Sequence, residues 1–168
     1  VTDNMEKYEL GIAVSKLYDF LWEEFCDWYI EMVKPRLWND EDDTKAAALW
    51  TLKTVLTSGL KLLHPYMPFV TEEIFCTLTD EESIMISSWP EYNKEYNFKT
   101  DEAAVDKIKE AVRAIRNIRS EMNVAPSRKA KVYVVSEDAS IRDIFENGSV
   151  FFATLAYASE VAVQSDKS

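Results

Sequence analysis

Along residues 3–34 apolar side chains recur at every third or fourth position. Leu10, Val14, Leu17, Leu21, Phe25, Trp28 and Met32 fall on one helical face. No proline interrupts before Pro35, so the spacing predicts one helix over 3–34, about 48 Å long at 1.5 Å per residue. Such a helix is not stable alone and must lie against others. The acidic run 39–43 reads as a turn. Asp42, Asp43 or Thr44 can cap the next helix, and acids there favour the positive end of its dipole. That helix is expected over 44–63, with Leu49, Leu52, Leu56, Leu60 and Leu63 buried. Gly59 inside it costs about 1 kcal/mol relative to alanine, which marks a close approach by another helix. His64-Pro65 ends it, because a residue before proline avoids helical angles. Pro68 can open a third helix over 68–79, since its missing N–H is no loss in a first turn.

Residues 80–100 lack a period. They carry Ile84-Met85-Ile86, Trp89-Pro90 and two tyrosines, too much apolar surface for a solvated coil, and are expected to pack over the helices. A fourth helix is expected over 101–122. Ala104, Ile108, Ala111, Ile115, Ile118 and Met122 face inward, while Lys109, Arg113 and Arg116 step i, i+4, i+7 on another face. After Pro126 the pattern changes. Residues 131–136 alternate as a strand, 138–157 read as short helices split near Gly148, and 160–164 read as a second strand. The expected fold class is mainly α: an antiparallel helical bundle over 1–127, with a small α/β appendage over 128–168.

Charge complicates the functional reading. The 168-residue chain has a formal net charge of −11, which by itself argues against a nucleic-acid partner. The charge is unevenly spread, however: residues 1–43 hold twelve acids and four bases, and residues 103–131 hold eight bases and three acids. Screening limits such effects to about 8–10 Å at physiological salt, so the local basic segment matters more than the total. Cys26 and Cys76 sit in apolar helical patterns and read as buried thiols, with no CxxC pair or Cys/His cluster to hold a metal. The opening VTDNMEKYEL is polar, unlike a secretion signal, and begins close to the first helix, as at a boundary inside a longer protein. No apolar run approaches the ~20 residues of a membrane span. The one histidine, His64, precedes a proline at a helix end, where a structural role is expected. No phosphate loop, nucleophile elbow or zinc-protease motif occurs, and no carboxylate pair stands out for acid–base work. The pattern points to a binding module without catalytic residues. Two features could serve RNA: the arginine-rich stripe, since guanidinium pairs with phosphate and stacks on bases, and the aromatic residues Trp50, Tyr66 and Phe69. For each, core packing or a solvated face is the plainer alternative.

Two stretches carry a resemblance. LYDFLW followed by EFCDWYIE, over residues 17–31, and KLLHPYMPFVTEEI, over 61–74, are similar to the helical bundle of class I aminoacyl-tRNA synthetases for valine, isoleucine and leucine. Trp89-Pro90 and RNIRSEMNVAP (116–126) follow in the family's order, and the FCDWY string favours the valine members. Phe75 departs from the tryptophan usual there. The resemblance implies an anticodon-binding domain whose partner is the anticodon loop of valine tRNA. It also implies a cytoplasmic parent whose catalytic, editing and coiled-coil domains lie outside these residues, together with ATP and magnesium. It suggests Phe69 as a stacking platform, Lys45 and Trp50 on the preceding helix as its flanks, and Lys109, Arg113, Arg116, Arg128 and Lys131 as loop and phosphate contacts. The alternatives are the equivalent isoleucine or leucine domain, or an acidic helical scaffold for protein partners.

Overall fold

The computed structural model describes residues 1–166. They form two compact units, Val1–Tyr92 and a second from Asn93 onward. This division lies upstream of the 127/128 boundary read from the pattern.

In the first unit the long helix is present but begins and ends elsewhere than expected. A short helix α1 (Thr2–Glu6) is separated by Tyr8, whose φ of 59° is unfavourable for a non-glycine residue. From Leu10 the backbone stays helical to Trp38 in three windings: α2 (Leu10–Asp19), a wider π-type segment (Phe20–Ile30) and α3 (Glu31–Trp38). π winding over eleven residues is uncommon, since most π elements are single-turn bulges. The helix runs through Pro35, whose missing N–H leaves the Glu31 carbonyl without its helical partner, and ends at Trp38. Ala13, Leu17, Phe25, Trp28, Met32 and Val33 are buried, whereas Leu10 is exposed. Cys26 is also exposed, contrary to expectation, because Phe25 and Trp28 take the inward face of the π segment; Cys76 is half-buried.

Helix α4 (Lys45–Leu63) follows a turn in which Asp42 Oδ1 accepts from the Thr44 N–H at 2.8 Å. The Thr44 hydroxyl and N–H hold the Asp42 carboxyl below the usual carboxylate range. Gly59 allows the approach predicted for it: a Cβ there would lie 2.6 Å from Leu21 Cδ2. Leu49 points outward, one position round the helix from buried Ala48. Helix α5 (Pro68–Leu78) runs back antiparallel to α4, which brings Leu60 against Phe75. The 3-10 turn Ile84–Ile86 closes this core, with the Ile84 N–H donating to Glu72 Oε2 at 3.1 Å. Trp89 Nε1 donates to Thr2 Oγ1 at 3.1 Å, but apart from buried Ile84 the large apolar side chains of the 80–100 stretch, Met85, Ile86, Tyr92 and Tyr96 among them, are exposed, contrary to the expected packing over the helices.

The second unit contains α6 (Lys99–Glu121), β1 (Ala130–Val135), α7 (Ala139–Asn147), α8 (Ser149–Leu155) and β2 (Ala158–Gln164). The strands pair in parallel, with Lys131 opposite Glu160 and Tyr133 opposite Ala162. A parallel pair needs a crossover, and α7 and α8 supply it. At their junction a Cβ on Gly148 would lie 2.4 Å from Ile108 Cδ1 and 3.1 Å from the Ile144 carbonyl, so any larger residue there would have to displace Ile108 for the junction to seat on α6. Through these contacts α6 is part of the same unit as the strands. Ile108 and Val112 are buried as the spacing implies, but Ile118 and Met122 are exposed. Periodicity identifies a face without saying how far along the helix that face is covered.

Candidate nucleic-acid interface

Phe69 is the second residue of α5, and its ring is 90% exposed. Pro68 before it fits a helical first position, and Met67 beside it is also exposed. The neighbouring His64 bonds inward: Nδ1 lies 2.7 Å from Thr71 Oγ1 and Nε2 lies 2.9 Å from Met85 Sδ. The histidine thus ties the end of α4 to α5 and to the 84–86 turn, a structural role. Phe75 is fully buried beneath the Lys61 ammonium, 5.4 Å from the ring centroid.

Lys45 and Trp50 do not flank Phe69. Because α4 and α5 are antiparallel, the start of α4 lies beside the end of α5. Trp50 shares a cleft with Thr79, Asp80 and Glu81, ten residues beyond Phe69 and about 15 Å along the helix axis. Lys45 lies a further turn from Phe69 and pairs with Asp40, whose carboxyl is held below its ordinary range by that hydrogen bond and charge. The cleft has a volume of about 560 Å³ and includes Lys53, Thr54, Thr57 and Lys61, which the sequence reading did not single out. A signal for them was present: with Trp50 they step i+3, i+4, i+7 and i+11 along one side of α4.

In the second unit the basic stripe divides. Lys109 is only 5% exposed, with its ammonium 3.6 Å from Asp106 Oδ1, so it is not a surface contact for phosphate. Its neighbours in sequence and one turn on, Ile108 and Val112, are buried, and its aliphatic stem follows them inward, as lysine stems do. Arg113 and Arg116 are exposed. Arg116 also has a structural duty, Nε donating at 2.7 Å to the Leu155 carbonyl that ends α8. Arg119 donates to the Ala125 and Arg128 carbonyls at 2.9 and 2.7 Å and lies over the Tyr157 ring, so it shapes the loop that presents Arg128. Arg128 is exposed. Lys131 pairs across the strands with Glu160 at 2.6 Å, and that hydrogen bond and charge raise the lysine above its usual range. Among the described residues no group of three or more His, Cys, Asp or Glu could hold a metal, and no helix is long and apolar enough to cross a membrane.

Comparison with known proteins resolves what kind of module this is. Residues 1–134 match the family described as the anticodon-binding domain of tRNA ligase. The chain belongs to that family. It is 52% identical over 168 residues to the valine--tRNA ligase of Clostridium perfringens, and 51% identical to that of Clostridium acetobutylicum, in both cases over 99% of this chain. The corresponding protein of Staphylococcus carnosus is 36% identical over 167 residues. The chain spans about a fifth, 19%, of the length of these relatives. The family match extends from α1 into β1, across both compact units.

Proposed function

We propose that this chain is the anticodon-binding part of a valine--tRNA ligase and binds the anticodon loop of valine tRNA. Phe69 carries the proposal within the family. An aromatic ring left 90% in water contributes little to folding, and single-stranded RNA is bound by stacking unpaired bases on such rings. Arg113 and Arg128 supply exposed guanidinium groups suited to phosphate. Arg116 and Lys131 are partly committed to intramolecular bonds and act as secondary contacts; Lys45 does likewise from its ion pair. The chain itself is a non-catalytic module. Amino-acid activation, with ATP and magnesium, editing and the coiled coil belong to other parts of a parent ligase working in the cytoplasm. The names of the relatives at 52 and 51% identity support valine over isoleucine or leucine.

The test is fluorescence anisotropy with a labelled anticodon hairpin of valine tRNA, with the isoleucine hairpin as comparison. Phe69→Ala is expected to weaken valine-hairpin binding by about tenfold, the scale of one lost base–aromatic stack. Unchanged affinity in a folded Phe69→Ala variant rejects the platform. Equal affinity for the two hairpins rejects the valine assignment.

A further inference from the structure

We infer that Met85 is a reversible oxidation site: a peroxide converts its thioether to the sulfoxide with His64 relaying the proton, and the product unties the 84–86 turn from His64, which braces the start of α5 and Phe69. The consequence for RNA binding rests on the anticodon-binding reading above. Of the chain's five methionines, Met32 is buried, Met5 is half-buried and Met67 is 50% exposed, whereas Met85 and Met122 are each 72% exposed. Exposure alone therefore does not single out Met85. Its surroundings do. The sulfur lies 2.9 Å from His64 Nε2, and both residues line a cavity of about 210 Å³. A small peroxide entering there meets the sulfur and the imidazole together.

The far side of the ring sets its tautomer. The buried Thr71 hydroxyl donates to the Met67 carbonyl at 2.8 Å, so its oxygen accepts from His64 Nδ1–H at 2.7 Å. A neutral imidazole has one N–H, which leaves Nε2 with a lone pair beside the sulfur. In the reaction a sulfur lone pair attacks the hydroxyl oxygen of the peroxide, and the S–O bond forms as the O–O bond breaks. Sulfur gives up two electrons and the peroxide is reduced. The proton of the transferred hydroxyl passes to Nε2 and from there to the departing oxygen. That oxygen leaves as water from hydrogen peroxide, or as an alcohol from an organic hydroperoxide. The product is a polar sulfoxide in place of a flexible apolar side chain. Its oxygen only accepts hydrogen bonds and faces an Nε2 that has none to donate, so the His64–Met85 contact is lost. Ile84, buried and donating to Glu72 Oε2, keeps the turn in the core. The change is local: it frees one side of the histidine whose other side holds the first turn of α5, where Phe69 stands.

The experiment treats the chain with hydrogen peroxide and follows each methionine by peptide mass spectrometry. Met85 is expected to oxidise several-fold faster than Met122, whose equal exposure makes it the internal reference. His64→Gln is expected to bring the Met85 rate down to that of Met122. A merely structural histidine would instead leave Met85 more open, with its rate unchanged or higher. Equal rates for the two methionines in the wild type overturn the site, as does a Met85 rate that survives in His64→Gln. The untying is read from the His64 ring signals by NMR, which are expected to move on oxidation of the wild type and to stay in place when Met85→Leu is treated. After dithiothreitol restores the thiols, the oxidised wild type is expected to bind the valine hairpin several-fold more weakly, and methionine sulfoxide reductase to restore the affinity. An equal loss of affinity in Met85→Leu overturns the link to RNA. If the untreated chain binds no hairpin, the anticodon-binding reading fails, while the mass and NMR measurements still decide the oxidation site.

Discussion

Phe69 and Phe75 lie on one helix and have opposite fates. Phe75 is fully buried in the core with Leu60 and Ile84; Phe69, six positions earlier, projects into water. From the sequence, core packing is the plainer alternative for Phe69, and the structure instead leaves it in water while burying Phe75. The cysteines differ in a similar way. Burial first, and then the nearby Glu72 carboxylate, push the Cys76 thiol up, which lowers its thiolate fraction at neutral pH. Cys26 is exposed. Alkylation with iodoacetamide at neutral pH is therefore expected to show one fast thiol. Cys26→Ser should remove the fast phase and Cys76→Ser should leave it; the reverse pattern contradicts the assignment of the exposed thiol.

At the scale of elements, the α4–α5 hairpin depends on two local devices. The first is Gly59, against which Leu21 packs. Gly59→Ala places a methyl 2.6 Å from Leu21 Cδ2, a flexible side-chain end that can rotate away, and the gain of about 1 kcal/mol in helix propensity offsets that movement. Gly59→Leu has no such escape and is expected to cost about 1–3 kcal/mol. Urea denaturation of both variants checks the difference; an equal loss in the two contradicts the close approach. The second device is Glu72, whose carboxylate holds the 83–84 segment. The Ser83 hydroxyl, then the Ile84 N–H and the Cys76 thiol, lower its pKa. A carboxyl lowered by folding stabilises fully above its unfolded value, about 4.3, and that contribution disappears as pH falls through the lowered folded value. Glu72→Gln should therefore be less stable than wild type at pH 7, and the gap should begin to narrow as pH falls below about 4.3 and close only below the lowered folded value. Acid titration followed by circular dichroism tests this, and a gap that persists at low pH rules out the carboxylate as its source.

For the molecule as a whole, the proposed function requires an acidic chain to bind RNA. Net charge is −11, yet the cations are concentrated in the 103–131 segment, where Arg113, Arg116 and Arg128 are exposed. Phosphate neutralisation releases counterions, so hairpin affinity should fall as salt rises. Arg113→Glu is expected to weaken binding about uniformly across loop sequences and to reduce the slope of log K against log salt by about one. An unchanged slope with intact binding removes Arg113 from the phosphate contacts.

The order of elements was readable from the chain because it depends on local spacing: leucines three and four apart, a proline after His64, and alternation at 131–136. The approach at Gly59 was readable too, since glycine inside a helix is costly without a neighbour. Residue fates were not, because burial depends on which elements lie alongside. The i, i+4, i+7 stripe does not reveal that Lys109 turns inward while Arg113 stays out, nor that Arg116 holds the end of α8. Nor does proximity in sequence place Trp50 near Phe69. Antiparallel packing of α4 and α5 puts them at opposite ends of one hairpin, and Trp50 instead faces the acidic lip formed by residues 80 and 81.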